Sequence, residues 1–263
     1  MLRRSFIFLP GVGLATERAI WEHGVLDWDG FVKSSVAGPL KGERKAILDR
    51  FVTEASSALD EGNVAFFNGF FRPSQNWRLW DEFGDGAVFL DIETTGTRRF
   101  SPITVVGAYD GREFRALVRG KNLDTDGITG LFREASLIVT FNGASFDLPM
   151  LEAQFPGSVP CIPHLDLRFL ASRCGFRGGL KSVEQQMGIG RPEDVRGMSG
   201  EDAVRLWRMY ERDFNRNALK LLLKYNMEDI INLSPIAERL VEIMRNQVFG
   251  RVRSRAVDPP DQR

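Results

Sequence analysis

The chain has 263 residues, of which 43% are hydrophobic and 27% charged. The 20 Phe and 5 Trp supply apolar area that a disordered chain lacks, and no apolar run approaches the roughly 20 residues of a membrane span. Two cysteines, Cys161 and Cys174, are too few for a disulfide scaffold, and 35 basic residues balance 35 acidic ones, so no global positive field points to a polyanion. That balance leaves open an enzyme that holds cations on its own carboxylates.

At the N-terminus, Arg3 and Arg4 precede the apolar residues 6–9, the order of a secretory leader. Pro10-Gly11 ends that run and Glu17-Arg18 follow, so a cytoplasmic location is expected. Residues 1–83 read as a helical extension. Thr16 is placed to cap a helix reaching His23, and residues 41–59 carry Ala46, Ile47, Phe51, Ala55 and Leu59 at helical spacing. Phe66, Phe67, Phe70, Phe71, Trp77, Trp80 and Phe83 need burial, and no linker follows them. The extension is therefore expected to dock on the main domain.

From Ala87 the pattern changes. Residues 87–91 are a short apolar run, a buried strand that ends in Asp91. Strands at 103–109 and 113–118 join across Asp110-Gly111, a hairpin signal. A helix at 128–134, a strand at 137–141, a helix at 146–154 and a strand at 161–165 come next. Helices are then expected at 166–172, 180–187, 200–212 and 218–247. Pro235 should break the last of these, with Ser234 capping a second helix. A three-strand meander followed by alternating helices and strands is an α/β order with a mixed β-sheet flanked by helices. It is the element order of a ribonuclease H-like fold, here expected over residues 84–250, with a flexible tail over 251–263.

Three short strings carry the chemistry. Asp91 and Glu93 are two apart at a strand end, so both carboxylates point to one face. Side by side they repel unless a cation sits between them, and the cation suited to oxygen ligands is Mg²⁺ or Mn²⁺. Thr94, Thr95 and Gly96 follow, with hydroxyls and a backbone open to close approach. Phe141-Asn142-Gly143 leads from a strand into a helix with Asp147 in its first turn. On a late helix Tyr225 and Asp229 are i and i+4, hence neighbours on one face.

Taken in order, Asp-x-Glu on the first strand, Asp147 after a later strand and Tyr-x-x-x-Asp on a late helix resemble the DEDDy class of 3′–5′ exonucleases. Within it the likeness is closest to the YprB-like, ribonuclease H-like proteins, where residues 179–184, Gly188-Ile189 and Tyr225-Asn226 also look familiar. The resemblance covers roughly residues 84–235. It implies a two-metal mechanism on single-stranded 3′ ends of DNA or RNA. Asp91, Glu93, Asp147 and Asp229 would hold two Mg²⁺ or Mn²⁺ ions, and Tyr225 would orient the attacking water. Thr94, Thr95, Asn142 and Lys181 would contact the nucleic acid.

Two other readings stand beside this one. A catalytically silent nucleic-acid-binding module would be expected to lack a carboxylate, and none is missing. An RNase H-type endonuclease fits the Phe141 and Tyr225 strings poorly. Among weaker features, Leu9-Pro10-Gly11-Val12-Gly13 is similar to the hairpin of a helix-hairpin-helix motif, but too few residues precede it for a first helix. Asp166 reads as a helix N-cap, and His164 has no partner at zinc-ligand spacing. Arg168, Arg173, Arg177 and Lys181 form a basic run that suits either a phosphate backbone or a solvated helix face.

Overall fold

The structure, a computed structural model, describes residues 1–96 and 101–257. They fall into two compact units, one of Met1–Glu82 with the chain from Val241, the other of Phe83–Leu240. Among the described residues no helix is long and apolar enough to cross a membrane.

In the first unit α1 (Leu14–Glu22) starts after its N-cap Gly13, three residues ahead of the Thr16 cap expected from sequence. Helix α2 (Trp28–Lys33) is capped by Asp27, whose carboxylate accepts from the Gly30 amide at 2.8 Å. A hairpin of β1 (Val36–Ala37) and β2 (Leu40–Lys41) leads into α3 (Gly42–Asp60). Gly38 turns that hairpin at φ +58°, where a Cβ would lie 2.8 Å from the Ala19 carbonyl oxygen; only glycine fits. The aromatic run beyond α3 is largely 3₁₀ turn, at Val64–Phe67 and Pro73–Leu79, ending in the short α4 (Trp80–Phe83). Phe70 stacks on Phe8 with ring centroids 4.3 Å apart and meets Trp28 edge-on, so these rings find partners inside the unit.

This unit also buries a charge pair. Arg78 Nη2 donates to Glu17 Oε2 at 2.8 Å and Nη1 to Oε1 at 3.1 Å, with side-chain exposures of 0% and 1%. Every remaining demand is met nearby. Arg78 also donates to Ser5 Oγ and Gln75 Oε1, and the Phe6 amide donates to Glu17 at 2.7 Å.

The second unit is built on a five-stranded sheet in the order β5-β4-β3-β6-β7. The strands are β3 (Ala87–Thr94), β4 (Ile103–Tyr109), β5 (Phe114–Val118), β6 (Leu137–Thr140) and β7 (His164–Asp166). β3 runs antiparallel to β4, and β4 to β5, whereas β3–β6 and β6–β7 are parallel. This is the mixed sheet expected from sequence. β3 is three residues longer than its apolar run, and so it carries both Asp91 and Glu93.

Helices cover both faces. α5 (Thr125–Leu131) and α6 (Asp147–Gln154) bring Ile128, Leu131, Met150 and Leu151 onto Val88, Leu90 and Ile92. α5 begins at Thr125, three residues before the expected start, because Asp124 caps it by accepting from the Gly127 amide. α7 (Leu167–Arg173) and α8 (Leu180–Met187) follow β7. On the opposite face α9 (Gly200–Asp213) and α10 (Arg216–Ile231) pack Leu206, Trp207, Leu219 and Leu222 against Val105 and Val118.

The last two helices correct the reading of Pro235. α10 ends at Ile231 with Asn232 as its C-cap, and α11 (Leu233–Val257) begins at once. Pro235 falls in the first turn of α11, where the missing N–H costs nothing, so the break lies ahead of Ser234. Of the tail expected from Arg251, residues up to Val257 continue α11, and 258–263 lie outside the described residues.

Candidate metal centre

Strand alternation divides β3 into two sets of side chains. Val88, Leu90 and Ile92 enter the core beneath α5 and α6, and Asp91 and Glu93 face the side on which α10 packs. Tyr225 and Asp229, one turn apart on α10, meet them there. Carboxylate oxygens of Asp91, Glu93 and Asp229 lie within 4.8 Å of one another, the span of a metal-binding group. Asp147, in the first turn of α6, is buried and accepts from the Ile92 amide at 3.1 Å, between the two strand acids.

Burying acids together is costly, and their protonation shows it. Burial first, then the charges of Asp147, Glu93 and Asp229, hold Asp91 well above the usual carboxylate range. Glu93 is raised well above it by burial and by Asp229 and Asp147. Burial pushes Asp147 up to about 7 against the pull of the Ile92 amide. Asp229 is raised by burial, with Arg191 opposing. The all-oxygen donor set suits a hard divalent cation, and such a cation would relieve the repulsion that lifts these groups. The residues present therefore fit Mg²⁺ or Mn²⁺.

The groups around the acids are positioned with equal care. Asn226 Nδ2 donates to Asp91 Oδ2 at 2.9 Å. It reaches the strand because Gly107, opposite Asp91 on β4, has no side chain; a Cβ there would collide with Asn226 Oδ1 and Ile230 Cδ1. Lys181 of α8 donates to Tyr225 Oη at 2.9 Å and to the Met198 carbonyl, and its Nζ lies 4.7 Å from the centre of the Tyr225 ring. The Tyr225 hydroxyl lies near Asp229, whose charge acts on it. Burial and the charges of Asp229, Glu93 and Asp91 raise the phenol far above its ordinary value, so it stays protonated. Asp91, Phe141, Leu180, Lys181, Tyr225, Asp229 and Leu233 line a cavity of about 210 Å³.

Three expected substrate contacts lie outside that lining. The Thr94 hydroxyl donates to the Gly96 carbonyl at 2.5 Å, which shapes the turn after a bulge between Glu93 and Thr94. The Thr95 amide donates to the Pro102 carbonyl. Asn142 adopts φ +74°, its amide donates to Asp166 Oδ1, and its Oδ1 accepts from Arg168 at 2.5 Å. Asp166 caps α7 by accepting from the Arg168 amide, and it also holds Asn142 and Ala144. Its expected role as an N-cap is borne out.

Sequence reasoning gave no role to Asn226 or Arg191. Asn226 had a faint signal, since it adjoins Tyr225 in a string that resembles the family. Arg191 lies in the segment between α8 and α9 and had none. It forks onto Glu184 with two bonds of 2.7 Å, and its Nη2 pairs with Asp229 Oδ1 at 2.5 Å.

A mixed sheet with acids at the end of its central strand, met by a further acid from a helix, defines an α/β protein with a candidate metal centre on that strand. The model of the RNase H superfamily matches residues 88–241, and the chain belongs to that superfamily. Among solved structures, the crystal structure of Escherichia coli RNase D, an exoribonuclease involved in structured RNA processing, is similar at 19% identity with a TM-score of 0.45. The match covers 68% of this chain and 45% of that one, so it spans less than half of that protein's length. No curated protein matches the sequence.

Proposed function

We propose that this chain is a divalent-metal-dependent 3′–5′ exonuclease of the DEDDy type. It hydrolyses phosphodiester bonds at single-stranded 3′ ends of DNA or RNA and releases 5′-mononucleotides. The observation that carries the reading is the meeting of Asp91, Glu93 and Asp229 within 4.8 Å. Asp147 at their side and Tyr225 one turn before Asp229 complete the set, and the YprB-like strings around Lys181 and Tyr225 support it.

In this reading Asp91, Glu93, Asp147 and Asp229 would hold two ions, Mg²⁺ or Mn²⁺, which would supply an activated water and charge stabilisation for the leaving 3′ oxygen. Asn226 keeps Asp91 in its ligating orientation through the 2.9 Å bond. Tyr225 orients the water by its hydroxyl and keeps its own proton, consistent with its strongly raised pKa. Lys181 brings a cation beside the phenol, where a phosphate oxygen would lie. Thr95 and Asn142 contact the terminal nucleotide, and Thr94 contributes the shape of the turn. All four carboxylates are present, and no observation favours a silent binding module.

The test uses 5′-labelled single-stranded DNA and RNA with Mn²⁺ or with EDTA. A ladder shortening from a 3′-hydroxyl end is expected with Mn²⁺ and none with EDTA. A 3′-phosphate should inhibit strongly, because it brings about two further negative charges toward the acids, and a closed circle should stay intact. Full activity in EDTA would remove the metal reading, and internal cuts in the circle would show an endonuclease.

A further inference from the structure

Arg191 is the least expected residue beside the acids. Its side chain is 6% exposed, and it reaches Asp229 from a segment outside any helix or strand. Nε and Nη2 each bind one oxygen of Glu184 at 2.7 Å, and Glu184 itself is 2% exposed. Asn232, at the end of α10, donates to Glu184 Oε1 at 2.9 Å. Glu184, Arg191, Asn232 and Asp229 thus form one network that ties α8 to the end of α10 where Asp229 sits.

Two features bear on what Arg191 does at Asp229. Glu184 anchors the guanidinium through two bonds, and Nη2 lies 2.5 Å from Asp229 Oδ1, where its charge opposes the effect of burial on that carboxylate. Arg191 Nη1 is left buried without a hydrogen-bond partner, a cost accepted where the guanidinium is held against two carboxylates at once. Arg78 in the first unit avoids it by donating to Ser5, Gln75 and Glu17.

We propose that Arg191 is a positioning residue of the metal centre. Anchored on Glu184, it fixes the carboxylate of Asp229 in the orientation from which it ligates. The inference rests on the metal-centre reading above. Removing the fork frees Asp229 to rotate, and loss of such an outer partner typically weakens metal binding by about 10- to 100-fold. Lysine keeps the charge but cannot fork onto Glu184 and meet Asp229 in one plane.

Calorimetric titration of the full chain with Mn²⁺, without nucleic acid, tests this in wild type, Arg191→Gln and Arg191→Lys. The expected affinity falls by about 10- to 100-fold in Arg191→Gln, with Arg191→Lys between it and wild type. If Arg191→Gln fails to fold by near-ultraviolet circular dichroism, Arg191→Lys carries the comparison. In Arg191→Lys, saturating Mn²⁺ should restore kcat with KM for the oligonucleotide unmoved, a recovery that a lesion in the fold would not show. Equal or tighter Mn²⁺ binding in a folded variant overturns the assignment of Arg191 alone. Absence of Mn²⁺ binding by the wild type overturns the metal-centre reading and this inference with it.

Discussion

Glu17 with Arg78 in the first unit, and the acids of β3 and α10 in the second, are both charged groups taken out of water. They are built in opposite ways. Glu17 and Arg78 face each other one to one, and Ser5, Phe6 and Gln75 meet their remaining hydrogen-bonding capacity. Among the described residues around Asp229, the acids Asp91, Glu93, Asp147 and Glu184 stand against Lys181 and Arg191. A balanced buried pair needs nothing from outside, whereas an unbalanced cluster is stable only with protons or metal cations. The difference marks which of the two is a site, without appeal to any motif.

Neutralising one member tests that contrast directly. Asp91→Asn should reduce hydrolysis to background, the largest effect expected, because one of the four proposed metal ligands is lost. The same change removes a repelling charge, so thermal unfolding should stay put or rise by about 2–4 °C, the shift for roughly 1 kcal/mol in a chain of this size. Measurable turnover in Asp91→Asn would break the assignment.

Glu17→Gln should do the reverse. It leaves the Arg78 guanidinium buried and unpaired, a loss of about 3–5 kcal/mol that urea unfolding would read. Replacing both partners by Met should recover much of that loss, since an apolar pair of similar volume is often as stable as a buried ion pair. A Glu17→Gln chain as stable as wild type would mean that the two buried clusters are less different than their contacts indicate.

Tyr225→Phe tests the site more gently. It removes a hydroxyl that accepts from Lys181, and leaves the ring in its apolar setting. We expect kcat to fall by about 10- to 1,000-fold, with substrate affinity little changed. Wild-type turnover would make the phenol a core residue and nothing more.

Much of the second unit was legible because each local signal had one physical meaning. Period-2 alternation in β3 separates Val88, Leu90 and Ile92 from Asp91 and Glu93, and the i, i+4 spacing of Tyr225 and Asp229 puts both on one face of α10. What could not be read depends on partners distant in sequence. Arg191 finds Glu184 seven residues back and Asp229 far ahead, and only the packing of α8 near α10 brings them together. The break after α10 was misplaced because proline dominates a sequence reading, although the first turn of a helix accepts it. The first unit was least legible. Its aromatic run is 3₁₀ turn with no apolar period, and its fold rests on ring contacts such as Phe8 with Phe70.

The smallest effect expected comes from His164, which lies on β7 behind the Asn142 loop. Its Nε2 is 2.8 Å from Thr140 Oγ1, and burial lowers its pKa to about 4 although Asp166 pulls the other way. In the unfolded chain a histidine titrates near 6.5. The ring is thus neutral in the fold, and its contribution is fully present above about pH 6.5. It is lost as pH falls from there toward 4, by at most about 1.4 kcal/mol per unit, because the unfolded chain binds the proton first. The buried acids act in the opposite sense. Asp147, raised to about 7, gains a proton in the fold first, and so stabilises it as pH falls over the same range. The two trends mask each other in the wild type, and only a difference isolates the histidine. The gap in unfolding free energy between wild type and His164→Gln should therefore narrow steadily from pH 7 to pH 5. A gap that stays constant over that range would mean that His164 is already accessible to protons in the folded chain.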